Sequence, residues 1–309
     1  MELHQLRYFE AVARHLHFTR AAEELNVAQP SVSQQLAKLE AELGTRLFHR
    51  MKRRVALTPA GQAFLPRARR LLAELEEARA EVQELTGLRK GSLAIGATPS
   101  VSTHLLPPLL AQFNSLHPGI RLILREAGSR WLVQALESGE LDLAIVILPL
   151  RQPVLETVPL LEERLVLAVA ASHALASRAE IELRELRDVP LVMFREGYDL
   201  RDVTLAECHR LGFEPRVVVE GGEMDAVLRL AAAGLGVAVV PEMVVEPHAG
   251  LVGVPIGRPR LTRTIALARR RDRYLSAAAR ALSALLTPPD GAAAIGTADR
   301  RSSCCRERT

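Results

Sequence analysis

"TRAAEELNVAQPSVSQQLAKLEAELG", Thr19–Gly44, decides the reading of this chain. Its first apolar positions, Ala21, Ala22 and Leu25, belong to a short helix, for which Thr19 is the expected N-cap. Only "NVA" separates that helix from a second one, opened by Pro30 in its first turn. Two helices with so little between them form a helix-turn-helix, and the small Ala21 and Ala22 allow a close crossing. On the second helix Val32, Leu36, Leu39 and Leu43 recur at i, i+4, i+7 and i+11, one apolar stripe. Pro30, Ser33, Gln34, Ala37 and Lys38 therefore project to the other side. That surface is small, polar and nearly uncharged, and it suits a major groove: Gln34 can bond adenine bidentately, Ser33 can donate or accept, and Lys38 suits phosphate.

A further helical segment, "LHQLRYFEAVARH", precedes this stretch, and a cationic one follows it. From Arg46 to Arg54 the chain carries Arg46, Arg50, Lys52, Arg53 and Arg54 and no acid. Apolar Leu47, Phe48, Val55 and Leu57 flank the cationic tip, the pattern of a two-stranded wing reaching phosphates or a minor groove. A charge run alone is usually a solvated face; beside a helix-turn-helix it is a second contact to DNA. The net charge of +4 would not by itself announce nucleic acid.

"LTPAG" then offers Thr58 as N-cap and Pro59 as first residue of a charged helix. Phe64, Ala68, Leu71, Leu75, Ala78, Val82 and Leu85 are spaced 4, 3, 4, 3, 4, 3, a 3.5-residue period that predicts pairing with a copy of itself. From Gly91 short apolar runs alternate with helical patterns: "SLAIGA", "RLILREA" and "LDLAIVIL", then "RLVLAVAA", "PLVMF", "RVVVEG", "GVAVV" and "TIALAR". This is α/β texture, expected as two consecutive sets of strands covered by helices. The expected organisation is DNA-binding residues 1–58, a dimerising linker helix 59–90, an α/β domain 91–287, and a disordered tail 288–309.

Composition bounds the rest. The 309 residues, 48% apolar and 25% charged, suit two ordinary globular units. No apolar run approaches the roughly 20 residues of a membrane span, and no export signal opens the chain, so the expected location is cytoplasmic. The three cysteines, Cys208, Cys304 and Cys305, draw no disulfide framework and no metal-ligand spacing. No nucleophile elbow, P-loop, dinucleotide fingerprint or HExxH occurs, so neither an enzyme nor a cofactor is expected.

The segment "FTRAAEELNVAQPSVSQQLAKLEAELGTRLFHR" with "LTPAG" resembles the LysR-type transcriptional regulators over residues 1 to 65, and the α/β texture agrees to about residue 286. That resemblance implies an N-terminal all-α winged helix-turn-helix, a linker helix that dimerises, and an α/β effector domain of two Rossmann-like halves, as in periplasmic binding proteins. It also implies a homotetramer on promoter DNA, and DNA contacts at Gln29, Pro30, Ser31, Ser33 and Gln34, with Arg50 and Arg53 in the wing. The effector, expected to be a small anionic metabolite, would lie between the halves at strand-end loops. Thr98, Ser100 and Ser102 are one such loop, Ser129 and Arg130 a second, and Arg195 and Tyr198 a third, from the other half. For the serines, helix capping is the simpler reading, and Arg130 and Arg195 rank below Ser100. The segment "LVMFREGYDLRDVTLAEC" further resembles the peroxide-sensing branch, with Asp199 at the reacting cysteine's position and only Cys208 kept. An aspartate cannot form a sulfenic acid, so redox control through Cys208 stands second to a metabolite.

Gln34→Ala and Ser33→Ala should therefore reduce discrimination between operator and random DNA, by about 1 to 3 kcal/mol per base contact. Arg53→Ala should weaken both alike and flatten the salt dependence. Competition binding at fixed salt separates the two classes.

Overall fold

A computed structural model describes residues 1–51, 54–85, 91–246, 250–258 and 260–287 of the chain. The expected disordered tail, with Cys304 and Cys305, lies outside the described residues, as do Lys52 and Arg53. The chain forms two compact units, Met1–Arg89 with Ala135–Leu141, and Lys90–Gln134 with Asp142–Thr309.

In the first unit α1 (Leu3–His15), α2 (Phe18–Glu24) and α3 (Gln29–Leu43) surround a core of Phe9, Val12, Val32, Leu36 and Leu39. Ala21 and Ala22 are fully buried where α2 meets its neighbours. The N-cap of α2 differs from the expectation: it is His17, whose Nδ1 accepts from the Arg20 amide at 3.4 Å, and Thr19 lies inside the helix. Phe18, packed against Phe48, fixes that earlier start. The wing is an antiparallel pair, β1 (Phe48–Met51) and β2 (Arg54–Leu57), in register Phe48 with Leu57. Glu40 on α3 anchors its entry by accepting from the Leu47 and Phe48 amides at 2.8 and 3.2 Å.

Thr58 caps α4 (Pro59–Leu85): its Oγ1 accepts from the Gly61 amide at 3.0 Å and donates to the Arg46 carbonyl at 2.7 Å. A Cβ on Gly61 would sit 2.2 Å from the Leu47 carbonyl oxygen, so only glycine lets α4 start against the wing. The heptad stripe divides its work. Phe64, Ala68 and the neighbouring Leu65 and Leu72 close the first unit's own core, whereas Leu71 is 44% exposed.

The second unit holds two apolar cores on a shared sheet. In the first half, β3 (Gly91–Ala97) lies parallel between β4 (Ile120–Glu126) and β5 (Leu143–Leu148). Helices α5 (Pro99–His104), α6 (Leu106–Leu116) and α7 (Ser129–Ser138) connect these strands. The 16-residue β6 (Leu155–Ala170) then crosses into the second half. That half adds β7 (Leu191–Phe194), α8 (Asp199–Arg210), β8 (Val217–Gly222), α9 (Met224–Ala232), β9 (Ala238–Pro241) and β10 (Leu251–Pro255). The last strand, β11 (Thr262–Arg270), corrects the expectation of two consecutive sets: it returns to the first half and pairs antiparallel with β5 and β6, before α10 (Ala277–Leu286). β6 spends its first part on β11 and its last on β9 and β10. Two strand passages thus join the halves, and the resulting sheet is mixed.

Candidate DNA interface and effector cleft

The outward face of α3 is as the apolar period requires. Gln29, Pro30, Gln34 and Lys38 are exposed, Ser31 and Ser33 half-buried, and Val32, Leu36 and Leu39 fully buried. Gln35 turns aside to accept from Gln5 of α1 at 3.3 Å. Arg50 lies on β1 opposite Val55; its side chain and all of Arg53 fall outside what the structure describes.

In the second unit the candidate effector residues gather where strands end, on both sides of the seam between halves. Thr98 precedes α5 and is 4% exposed, yet its hydroxyl makes no capping bond and has no hydrogen-bond partner. A buried hydroxyl left unpaired costs about 1–3 kcal/mol, which helix capping does not explain here. Ser102 donates to the Glu126 carboxylate at the end of β4, with the Pro99 carbonyl 3.1 Å away as the alternative acceptor for the same proton. Across the seam Tyr198, also 4% exposed, stacks on Phe194 with ring centroids 4.7 Å apart. Its hydroxyl oxygen lies near the Met224 amide but makes no hydrogen bond of sound geometry, and its own proton has no acceptor. Burial, then the carboxylates of Glu223 and Glu126, push that phenol well above its ordinary value and keep it protonated.

Two contacts draw the loops together. Ser129 donates to Asp199 Oδ2 at 2.7 Å while accepting from the Ile147 amide at 3.3 Å. A Cβ on Gly128 would meet the Gly197 carbonyl oxygen at 2.6 Å, so the backbones of the two loops touch. Asp199, the first residue of α8, and Glu126, the last of β4, thereby join the candidate residues at this seam, though neither was marked as a binding residue in the sequence.

Three expected residues do different work. Ser100, 1% exposed, accepts from Arg263 Nη2 at 2.8 Å and so serves a buried ion pair. Arg263 meets Glu163 at 2.6 Å, both side chains 6% exposed, and Glu163 also accepts from the Met243 amide at 3.2 Å. Arg195 is exposed, pairs with Glu223 and lies 5.6 Å over the Tyr198 ring. Arg130 is exposed on α7.

Cys208 is fully buried in the second half's core, on α8. Burial, then Glu207, pushes its thiol up to about 11, which disfavours the thiolate. Among the described residues no group of three or more metal-binding side chains occurs, and no helix is long and apolar enough to cross a membrane.

A winged helix-turn-helix, a long helix and a two-lobed α/β domain together define a ligand-responsive DNA-binding regulator. Residues 3–62 match the model of the bacterial regulatory helix-turn-helix proteins of the lysR family, and residues 86–288 match the LysR substrate binding domain. The chain belongs to the LysR family of transcriptional regulators. It is 33% identical over 282 residues to the DNA-binding transcriptional dual regulator OxyR of Escherichia coli, covering 89% of this chain and 92% of that one. Among solved structures it resembles a full-length OxyR from Pseudomonas aeruginosa carrying a cysteine-to-aspartate replacement: TM-score 0.70, 32% identity, 92% and 93% of the two chains. It also resembles full-length CbnR in complex with its target DNA: TM-score 0.66, 29% identity, 89% and 95% of the two chains.

The Cys208 environment makes a pH prediction. Between the ordinary thiol value near 9 and about 11 the folded chain keeps a proton that the unfolded chain loses, so stability falls as pH rises through that window. Urea unfolding at about pH 8 and about pH 10 should show this loss, and Cys208→Ala should lessen it.

Proposed function

We propose that this regulator reads a promoter with α3 and the wing as a homodimer, itself paired into a homotetramer, and that a small polar metabolite bound between the halves of the second unit sets its hold on DNA. It acts by binding and not by catalysis. The observation that carries the ligand site is the pair of buried, unpartnered hydroxyls, Thr98 and Tyr198, contributed by the two halves beside Glu126 and Asp199. The sequence reading expected a small anionic metabolite, whereas the carboxylates of Glu126, Asp199 and Glu223 disfavour a negative charge beside them. We carry forward the cleft and its small metabolite without that sign.

Self-pairing rests on α4. Its stripe leaves the first unit's core at Leu71, and an exposed leucine in a heptad frame suits a second copy. The redox alternative through Cys208 finds a buried, protonated thiol, and we read Cys208 as an apolar filler of α8.

Footprinting of the full-length chain on DNA upstream of its own reading frame should show two protected half-sites on one face of the helix. Leu71→Asp should dissociate the dimer in sedimentation and abolish joint protection. An unchanged dimer would place the stripe wholly within one subunit, and a footprint without half-sites would sink the regulatory reading.

A further inference from the structure

Glu126 and Asp199 stand at the same seam, one from each half, and each has a serine of the first half as its hydrogen-bond partner, Ser102 and Ser129 respectively. Among the described residues neither forms an ion pair. The neighbouring cations are committed elsewhere: Arg195 to Glu223, Arg201 to Glu220, and Arg263 to Glu163. Arg130, exposed beside Ser129, pairs with neither carboxylate. Acidic side chains alone would mean little, since they are ordinary at a surface. Here, however, Tyr198 is buried with its unpartnered hydroxyl under the influence of Glu126 and Glu223, and Thr98 is buried with its hydroxyl unpartnered on the loop between Ala97 and α5.

Resting on the reading of this cleft as the ligand site, we propose that the ligand is a small metabolite bearing a primary ammonium group, an amino acid or an amine, held between Glu126 and Asp199. An ammonium presents three donors and no acceptor, which fits two carboxylates and one hydroxyl oxygen. Serine donors already orient each carboxylate without neutralising it. A metal ion fits less well, because no cluster of three or more ligating side chains forms among the described residues. The protonated Tyr198 phenol supplies a donor, so it serves an acceptor on the ligand, such as the carboxylate of an amino acid. A cation between the carboxylates also offsets their mutual repulsion across the seam, so its binding favours the approach of the two halves. Occupancy is thereby tied to the angle between the lobes.

The test titrates the full-length chain with the common L-amino acids, ethanolamine and putrescine, each set against its deaminated acid or alcohol, following the melting temperature and then calorimetric affinity. The expected result is that an ammonium compound raises the melting temperature in proportion to its concentration while its deaminated counterpart does not. Glu126→Gln and Asp199→Asn, with folding checked by a cooperative melt, should each weaken that compound tenfold or more. Amines without a carboxylate separate an amine ligand from an amino acid. Equal binding of the deaminated counterpart, or no response to any ammonium compound, overturns the ammonium assignment and leaves the cleft itself standing. Binding that survives Glu126→Gln, Asp199→Asn and Tyr198→Phe alike places the ligand elsewhere and overturns both readings.

Discussion

The ion pair between Arg263 and Glu163 is the contact on which the two-lobed unit depends. Both groups lie on the strands that pass between the halves, Glu163 on β6 and Arg263 on β11, and both are almost wholly buried. Such a pair is weak evidence for stability, because desolvating two charges costs nearly what their attraction returns. Its value is in what it fixes. Arg263 also donates to Ser100 of α5, and Glu163 accepts from Met243, whose side chain packs against both apolar cores. Loss of one partner would strand a buried charge, so the loop after β3, the two crossing strands and the Met243 turn are constrained as one body. Thr98, two residues before Ser100, stands on that same loop.

In the first unit the corresponding constraint is steric. Gly61 brings α4 against the Leu47 carbonyl, Thr58 caps the helix, and Glu40 holds the strand entry from α3. Helix α3, the two wing strands and the start of α4 are thereby held in one frame, with the face from Gln29 to Lys38 left outward. For the DNA-reading role proposed for that face, such a frame is the preorganisation required.

Much of this was legible in the sequence. Periodicity and capping placed α1, α3 and the start of α4, since a buried stripe and a capping threonine are local signals. Thr19 failed as a cap because the aromatic contact of Phe18 with Phe48 is made across the fold. The destination of β11 was hidden for the same reason: an apolar run states that a strand is buried, and says nothing of its neighbours. Among the candidate effector residues, what the sequence could not show was their partners within the fold. Ser100 looked ligand-facing until Arg263, 163 residues away in sequence, claimed its hydroxyl. The carboxylate of Asp199 was hidden likewise, because its bond to Ser129, 70 residues away in sequence, is made only where the loops meet at Gly128 and Gly197.

The coupling of the Ser100 loop to the crossing strands is best measured by a double-mutant cycle of Ser100→Ala and Arg263→Met, scored by urea unfolding. The account predicts a coupling of about 1 kcal/mol or more, as for a buried hydrogen bond to a charged group. Effects that add to within about 0.5 kcal/mol would contradict it, and would leave Ser100 as an ordinary buried serine.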